Sequence, residues 1–421
     1  MSPVLATMTR MWPLWLVVAP LVLLPFGRAS EAPLVVMAVA GIVLVARRRV
    51  RWNDPATRLA LLLFACYWLP TLLSAFDAVA PARTWSTVAT TLRFLPFACF
   101  VAWAMRDAPY WPRLVAVAGV VAALWALDAW VQAFTGFSLG GPAEQERVSG
   151  IFGAGNLKLG QTLAALSPFA LFAARARFGR HGLVAAMALL ALPVLLAGSR
   201  AAWLSYAIVL IIVAWCETRD ARKFLLAIAA LALAAAAVFA AAWHGSMRLD
   251  ARIERSLIAL RGTETAIDEA SAGRVRIWRT AGAMIHAHPF TGVGARGFRY
   301  AYPQYAEPGD GFVDDATDTG ASHAHQIVLE VLSETGIVGL AFWLIGTGFA
   351  LRAWQRADAR TRERAAAPGL ALVAMAFPLN THLAFYSAWW GLLFWWLLAL
   401  YCAAFARGGA RVEDSSAGVS Q

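Results

Sequence analysis

Long apolar runs separated by short basic connections organise this chain. Runs near the roughly 20 residues that span a bilayer as helix fall at about 11–27, 33–46, 57–76, 86–105, 112–135, 158–174, 182–198, 201–216, 224–243, 326–351, 368–386 and 388–406. The pattern predicts an all-α polytopic membrane protein with about 12 transmembrane helices. One long polar interval interrupts it. Residues 1–243 carry helices one to nine, 244–325 form a loop domain, 326–406 carry helices ten to twelve, and 407–421 form a tail.

Composition fits this class. A chain that is 60% hydrophobic, with mean hydropathy +0.61 and 19 Trp, has more apolar surface than a soluble protein can bury. Alternate connections hold the basic residues: Arg10, then Arg47 to Arg51 with Arg58, Arg106 and Arg113, and Arg175, Arg177 and Arg180. Arg219, Arg222 and Lys223 follow, then Arg352, Arg356, Arg360, Arg362 and Arg364, then Arg407 and Arg411. Lys and Arg near span ends stay on the cytoplasmic side, so both termini are predicted to be cytoplasmic and the 244–325 loop periplasmic. Arg28 and Arg83 are isolated exceptions. The net charge of +11 then reflects topology and anionic-lipid contact, and no nucleic-acid partner is expected. No A-x-A site follows the first run, which predicts an uncleaved first helix. Cys66, Cys99, Cys216 and Cys402 lie in or at the ends of apolar runs, without the spacing of a disulfide framework or a Cys metal site.

The 244–325 loop balances nine Arg against ten acids, the charge pattern of a folded element and not of a basic tail. Within Gly273 to Pro289, Val275, Trp278, Ala281 and Ile285 recur at near-helical spacing, which predicts an amphipathic helix ended by Pro289. Thr291 to Phe298 contains a formal G-x-G-x-x-G, but no βαβ unit precedes it. A flexible turn is expected there. The acidic, Gly-rich stretch from Pro308 to Gly320 predicts a mobile loop over a site.

Ionisable groups inside spans cost roughly 2.5–3.5 kcal/mol at a helix centre and so point to pairing or function. Arg93, Asp128, Glu330 and Glu334 are the candidates. Their structural reading pairs Arg93 with Asp128 and has the glutamates orient neighbouring arginines. At the outer ends of spans, the connection after helix five offers Arg147, Asn156 and Lys158. The Gly198-Ser-Arg-Ala201 turn is so short that Arg200 must sit at the membrane surface.

These residues suit a lipid-borne diphosphate. Arginine binds phosphate oxygens through a planar fork that stays charged, which makes Arg200 and Arg274 the first candidates, Arg147 the next, and Arg276 a supporting one. A hydroxyl attacking an anomeric carbon needs a base near neutrality, and His325, at the start of a helix whose dipole favours neutral imidazole, fits that need. His323 with His325 and His286 with His288 form two His-Ala-His units that invite a metal. Yet i,i+2 histidines diverge on a helix and no H-e-x-x-H-type motif completes a site, so no metal and no cofactor is expected.

His325-Gln326 followed by Gly336 and Gly339 resembles the signature of the O-antigen ligases and the related O-antigen polymerases. Ser271 to Arg274 with Trp278, His288-Pro289 with Gly292-Val-Gly294, Gly198-Ser-Arg200, and Arg147 to Gly150 with Asn156 carry the same resemblance across roughly 147–340. Where the superfamily commonly has His-Asn, this chain has His325-Gln326. The resemblance implies a GT-C-type glycosyltransferase of the bacterial inner membrane with one large periplasmic loop. It implies transfer of O-antigen from undecaprenyl pyrophosphate to lipid A-core, with His325 as the activating base, Arg200 and Arg274 on the pyrophosphate, and no metal. An O-antigen polymerase is the alternative. A polyprenyl-linked glycan transporter or flippase is another, although no internal repeat of the transporter kind is visible.

Overall fold

The computed structural model describes residues 11–144, 147–245, 268, 271–381 and 384–407. Arg10, Glu146, Arg248, Arg252, Arg255, Arg261 and Arg411 lie outside them. The chain folds as α1 (Trp12–Val22), a 3-10 segment (Leu24–Ser30), α2 (Glu31–Ala46), α3 (Pro55–Leu73), α4 (Pro81–Thr91), α5 (Phe94–Ala104) and α6 (Tyr110–Thr135). A minimal hairpin of β1 (Phe137–Ser138) and β2 (Gly141–Pro142) follows, then α7 (Lys158–Leu196), α8 (Arg200–Thr218) and α9 (Ala221–Gly245). The loop region contributes α10 (Arg274–Ala287) and α11 (Phe298–Tyr305). The last part is α12 (Ile327–Arg356), α13 (Ala359–Ala376) and α14 (Ala388–Ala403).

This is an all-α polytopic membrane protein. Among the described residues 7 helical elements are long and apolar enough to cross a bilayer, and α1 and α14 are shorter apolar helices. The 12 predicted runs all contain helix, but they do not map one to one onto these elements. Runs 158–174 and 182–198 form the single element α7, interrupted at Gly179, where φ is 66° and ψ −150°. α13 opens with Arg360, Arg362, Glu363 and Arg364 and ends at Ala376, so only the first part of the predicted run 368–386 lies in this helix.

α14 is the axial helix. Its residues are buried on every side, including Trp395 and Trp396, as expected when a helix is apolar all round and sits inside a bundle. Inside a bilayer each buried indole N–H needs an acceptor. Trp396 Nε1 donates to the Val17 carbonyl at 2.7 Å and Trp389 Nε1 to the Leu24 carbonyl at 3.2 Å, whereas the buried Trp395 Nε1 meets no acceptor among the described residues. Phe94 stacks on Trp395 at 5.2 Å between centroids, and Tyr67 meets the same indole edge-on at 5.5 Å. In contrast, Val35, Val36, Val39 and Ile42 of α2 remain exposed, the outward face of a lipid-facing helix.

α12 is broken at Gly336, where φ is +65°. The amides of Ile337 and Val338 give up their helical partners and donate to the carbonyls of Pro289 and Phe290, at 2.8 and 3.3 Å. The freed carbonyls of Ser333 and Glu334 accept from Val293 and Gly294, at 2.8 and 3.0 Å. Loop and helix thereby exchange backbone partners, leaving none of these groups unsatisfied in an apolar setting. Both sides need glycine, because a Cβ at Gly292 would overlap the backbone of Glu334 and Thr335, and one at Gly336 the backbone of Phe290. The G-x-G-x-x-G stretch is thus a packed backbone joint, where the sequence suggested a flexible turn.

The buried face of α10 also differs from the predicted one. Ile277, Thr280, Ala281 and Met284 face inward against Val293, Phe298 and Tyr302, while Val275, Trp278 and Ile285 are only half-buried. Residues 308–320 are a hydrogen-bonded turn system in place of the expected mobile loop. Buried Asp310 accepts from Tyr302 Oη at 2.8 Å and from the Phe312 amide at 2.9 Å, and Asp314 accepts from Thr317 Oγ1 at 2.8 Å.

Gly336→Ala is expected to lower stability by at least about 1–3 kcal/mol, from the left-handed backbone and the displaced Phe290. Gly348→Ala, on the same helix with open space around it, should be neutral or slightly stabilising. Thermal unfolding of the two purified variants in detergent measures the difference.

Candidate functional site

Three basic residues occupy the first position of a helix: Lys158 in α7, Arg200 in α8 and Arg274 in α10. Cations are disfavoured at that end, because the macrodipole already concentrates about half a positive charge there. Ser199 caps α8 by accepting from the Ala202 amide at 3.4 Å, which fixes Arg200 at the mouth of that helix. Gly273, with φ +75°, does the same for Arg274 by allowing the chain to turn into α10.

Arg274 is the hinge of the cluster. Burial, and then the like charge of Arg200, hold its guanidinium below its ordinary range, although an arginine stays protonated at any physiological pH. The Arg274 charge acts in turn on His325. No carboxylate lies within ion-pair distance of Arg274 among the described residues. Two guanidinium groups and an imidazole from three distant chain segments therefore share one electrostatic neighbourhood.

His325 precedes α12 with φ +53°, a left-handed conformation uncommon for a residue with a side chain. Two contacts hold it there. Its Nδ1 lies 3.3 Å from the Thr381 carbonyl, and since a carbonyl can only accept, Nδ1 carries the hydrogen and Nε2 presents the lone pair. Trp278 of α10 donates its Nε1–H to the Ala324 carbonyl at 3.1 Å, tying the Arg274 helix to the backbone beside His325. His323 packs against His325 with 3.9 Å between ring centroids and the rings tilted by 42°, and its Nδ1 is 2.9 Å from Ser322 Oγ. Burial, and next the Arg274 charge, push the His325 imidazole down to about 4, against the opposing effect of the Thr381 carbonyl. At neutral pH the ring is uncharged.

Gln326, the departure from the family pattern, has a structural role that its sequence did not reveal. Its Oε1 caps α12 by accepting from the Leu329 amide at 2.5 Å, while its Nε2 donates to the Pro378 carbonyl at 2.9 Å. His325 and Gln326 thus both grip the 378–381 turn ahead of α14. Trp278 and Gln326 are positioning residues: one fixes the backbone before the imidazole and the other the backbone after it.

The remaining candidates sit at varied distances from this cluster. Arg147 pairs with Glu144 at 2.9 Å, and the adjacent Val148 amide donates to the Leu196 carbonyl at 3.0 Å, laying the Arg147 loop against the turn that carries Arg200. Lys158 lies 4.6 Å over the Trp389 ring, at the start of α14. Asn156 Oδ1 accepts from the Lys158 amide at 3.2 Å and so belongs to the opening of α7. Arg276 pairs with Asp268 at 3.3 Å. Glu334 is buried in α12 and accepts from the Arg296 amide at 2.7 Å, so it holds that residue's backbone and not a guanidinium. Arg93 pairs with Glu31 at 3.1 Å, while Asp128 accepts from the Leu139 amide at 2.8 Å, so the expected Arg93–Asp128 pair is not formed. Arg93 stands between α4 and α5, apart from the cluster. The two His-Ala-His units do not merge into one donor set: His288 Nε2 meets Tyr305 Oη at 2.9 Å, and among the described residues no three His, Cys, Asp or Glu converge.

The site therefore combines a neutral histidine with arginines at the mouths of separate helices in an all-α membrane protein. Residues 163–344 match the family described as O-Antigen ligase. The matched segment contains Arg200, Arg274, Arg276, His323, His325 and Glu334, and leaves Arg93, Arg147, Asn156 and Lys158 outside. No curated protein matches the chain.

Replacing Arg274 by Gln removes a positive charge acting on His325, so the imidazole pKa should rise from about 4 toward its ordinary value. With His325 as the base expected from the sequence, the ring must be unprotonated, so activity is expected to fall as pH drops through that pKa. The acid limb of kcat/KM, which reports the free enzyme, is expected near pH 4 in the wild type and at higher pH in Arg274→Gln. An unmoved limb would show that the two groups are not coupled.

Proposed function

We propose that this protein is an O-antigen ligase of the bacterial inner membrane, with a GT-C-type organisation. It transfers O-antigen glycan from undecaprenyl pyrophosphate to an outer-core sugar of lipid A-core. The observation that carries the reading is the coupled set Arg200, Arg274 and His325, within a segment that matches the ligase family. Positive-inside bias assigns the His325 end to the periplasm and both termini to the cytoplasm.

In this reading Arg274 and Arg200 bind the pyrophosphate, with Arg147 and Lys158 available beside the same helix mouths and Asn156, Arg276, His323 and Glu334 supporting the scaffold. The acceptor hydroxyl oxygen attacks the anomeric carbon of the donor sugar. The bond from that carbon to the pyrophosphate oxygen breaks, and its electron pair leaves with undecaprenyl pyrophosphate. His325 Nε2 takes the hydroxyl proton. The arginines stabilise the negative charge that grows on the departing group, each charge-assisted bond contributing roughly 1.5–3 kcal/mol. The substrate in turn improves the base: its diphosphate offsets the Arg274 charge that depresses His325, so proton affinity rises when donor is bound. No step in this scheme requires a metal or cofactor.

Reconstitution with purified lipid A-core and lipid-linked glycan tests it. Wild-type protein should yield glycan-capped lipid A-core. His325→Ala should lower turnover by roughly 10²–10⁴-fold, the usual contribution of a general base, and cells carrying it should accumulate lipid-linked polymer. Lengthened lipid-linked glycan without capping would identify a polymerase instead, and capping by His325→Ala at the wild-type rate would remove the proposed base.

A further inference from the structure

At the opposite end of the bundle lies a cavity of about 1110 Å³. α12 starts beside His325, and beyond its break at Gly336 it runs about 30 Å further to Arg356 on this cavity's wall. The two sites are therefore on different membrane faces. Six arginines line this one: Arg106 and Arg113 on either side of the start of α6, Arg356, Arg360 and Arg364 across the α12–α13 turn, and Arg407 after α14. Against them stand Asp107 and Asp358, and the Asp358 carboxylate caps α13 by accepting from the Thr361 amide at 2.7 Å. Among the described residues none of the six forms an ion pair.

Topological bias accounts for basic residues on this face but not for their convergence. Arginines from three separate parts of the chain border one concavity, where an anion would meet six cations against two carboxylates. Its volume exceeds that of a typical small-molecule pocket, roughly 300–1,000 Å³. The wall also includes Leu59 and Phe405, apolar side chains at the membrane ends of α3 and α14. A basic recess with an apolar side, at the level where spans meet water, matches a phosphate whose attached chains continue into the bilayer.

We propose that this cavity binds the phosphate headgroup of an anionic phospholipid from the leaflet on that face. Such a lipid ties together α3, α6, α12, α13 and α14 at their ends without contact with the His325 site. The proposal is independent of the reaction catalysed.

The test is native mass spectrometry of the purified full-length protein after exchange against phosphatidylcholine vesicles with and without cardiolipin. Cardiolipin adducts should persist on the wild type. Removing two arginines, at roughly 1 kcal/mol each, should weaken retention roughly 30-fold in Arg106→Gln/Arg364→Gln. Arg47→Gln/Arg49→Gln, which removes two exposed arginines that do not line the cavity, should retain lipid as the wild type does. Should the first pair fail to fold, Arg106→Lys/Arg364→Lys keeps the charge and is expected to keep the adduct. Equal adducts on the Gln pair and the wild type overturn the site. Binding of inorganic diphosphate with the same arginine dependence, but without cardiolipin retention, overturns the lipid as its occupant.

Discussion

Positive charge placed on the positive ends of helices is the constraint around which this structure is arranged. Lys158, Arg200 and Arg274 each stand where a carboxylate would stabilise the helix, and each forgoes roughly 0.3–1 kcal/mol by being there. Arg274 and Arg200 add mutual repulsion. The site is thus held electropositive by the rest of the bundle. An anion entering it collects what the protein gives up: aligned amides, guanidinium forks and a neutral ring that needs no reorganisation.

Holding that state needs rigidity, and most of it comes from backbone groups. The exchange of amide partners around Gly336 locks the 289–294 loop to α12, and the packed face of α10 carries Arg274 on the same body. His325 is then gripped from three sides, by Trp278 through Ala324, by Thr381, and by Gln326 through Pro378. Its left-handed backbone persists because these contacts over-determine it.

Much of this was legible in the sequence. The length of the apolar runs implied the membrane class, and the short Gly198–Ala201 turn implied that Arg200 lies at the end of a span, where it opens α8, because residue type and spacing decide such features locally. Features decided by tertiary contact were not legible. The Ile277–Ala281–Met284 face of α10 shares Ala281 with the predicted stripe but is rotated from it, since both stripes have helical spacing and only the neighbours choose between them. Arg93 found Glu31 and not Asp128, a choice between two acids that spacing cannot rank. The turn at 308–320 looked unconstrained until Tyr302 supplied a buried partner for Asp310. Gln326 resembled a mild departure from a motif, yet its extra methylene accompanies two simultaneous bonds, one to its own helix and one to the 378 carbonyl.

The wholly enclosed α14 has a consequence for biogenesis. Translation makes it after every other described helix, yet Trp396 and Trp389 complete the bonding of Val17 and Leu24, which are among the earliest. Until that helix arrives, the Phe94 and Phe169 rings that pack on Trp395 and Trp396 lack these partners, so the core around α14 can close only after the last described helix has inserted.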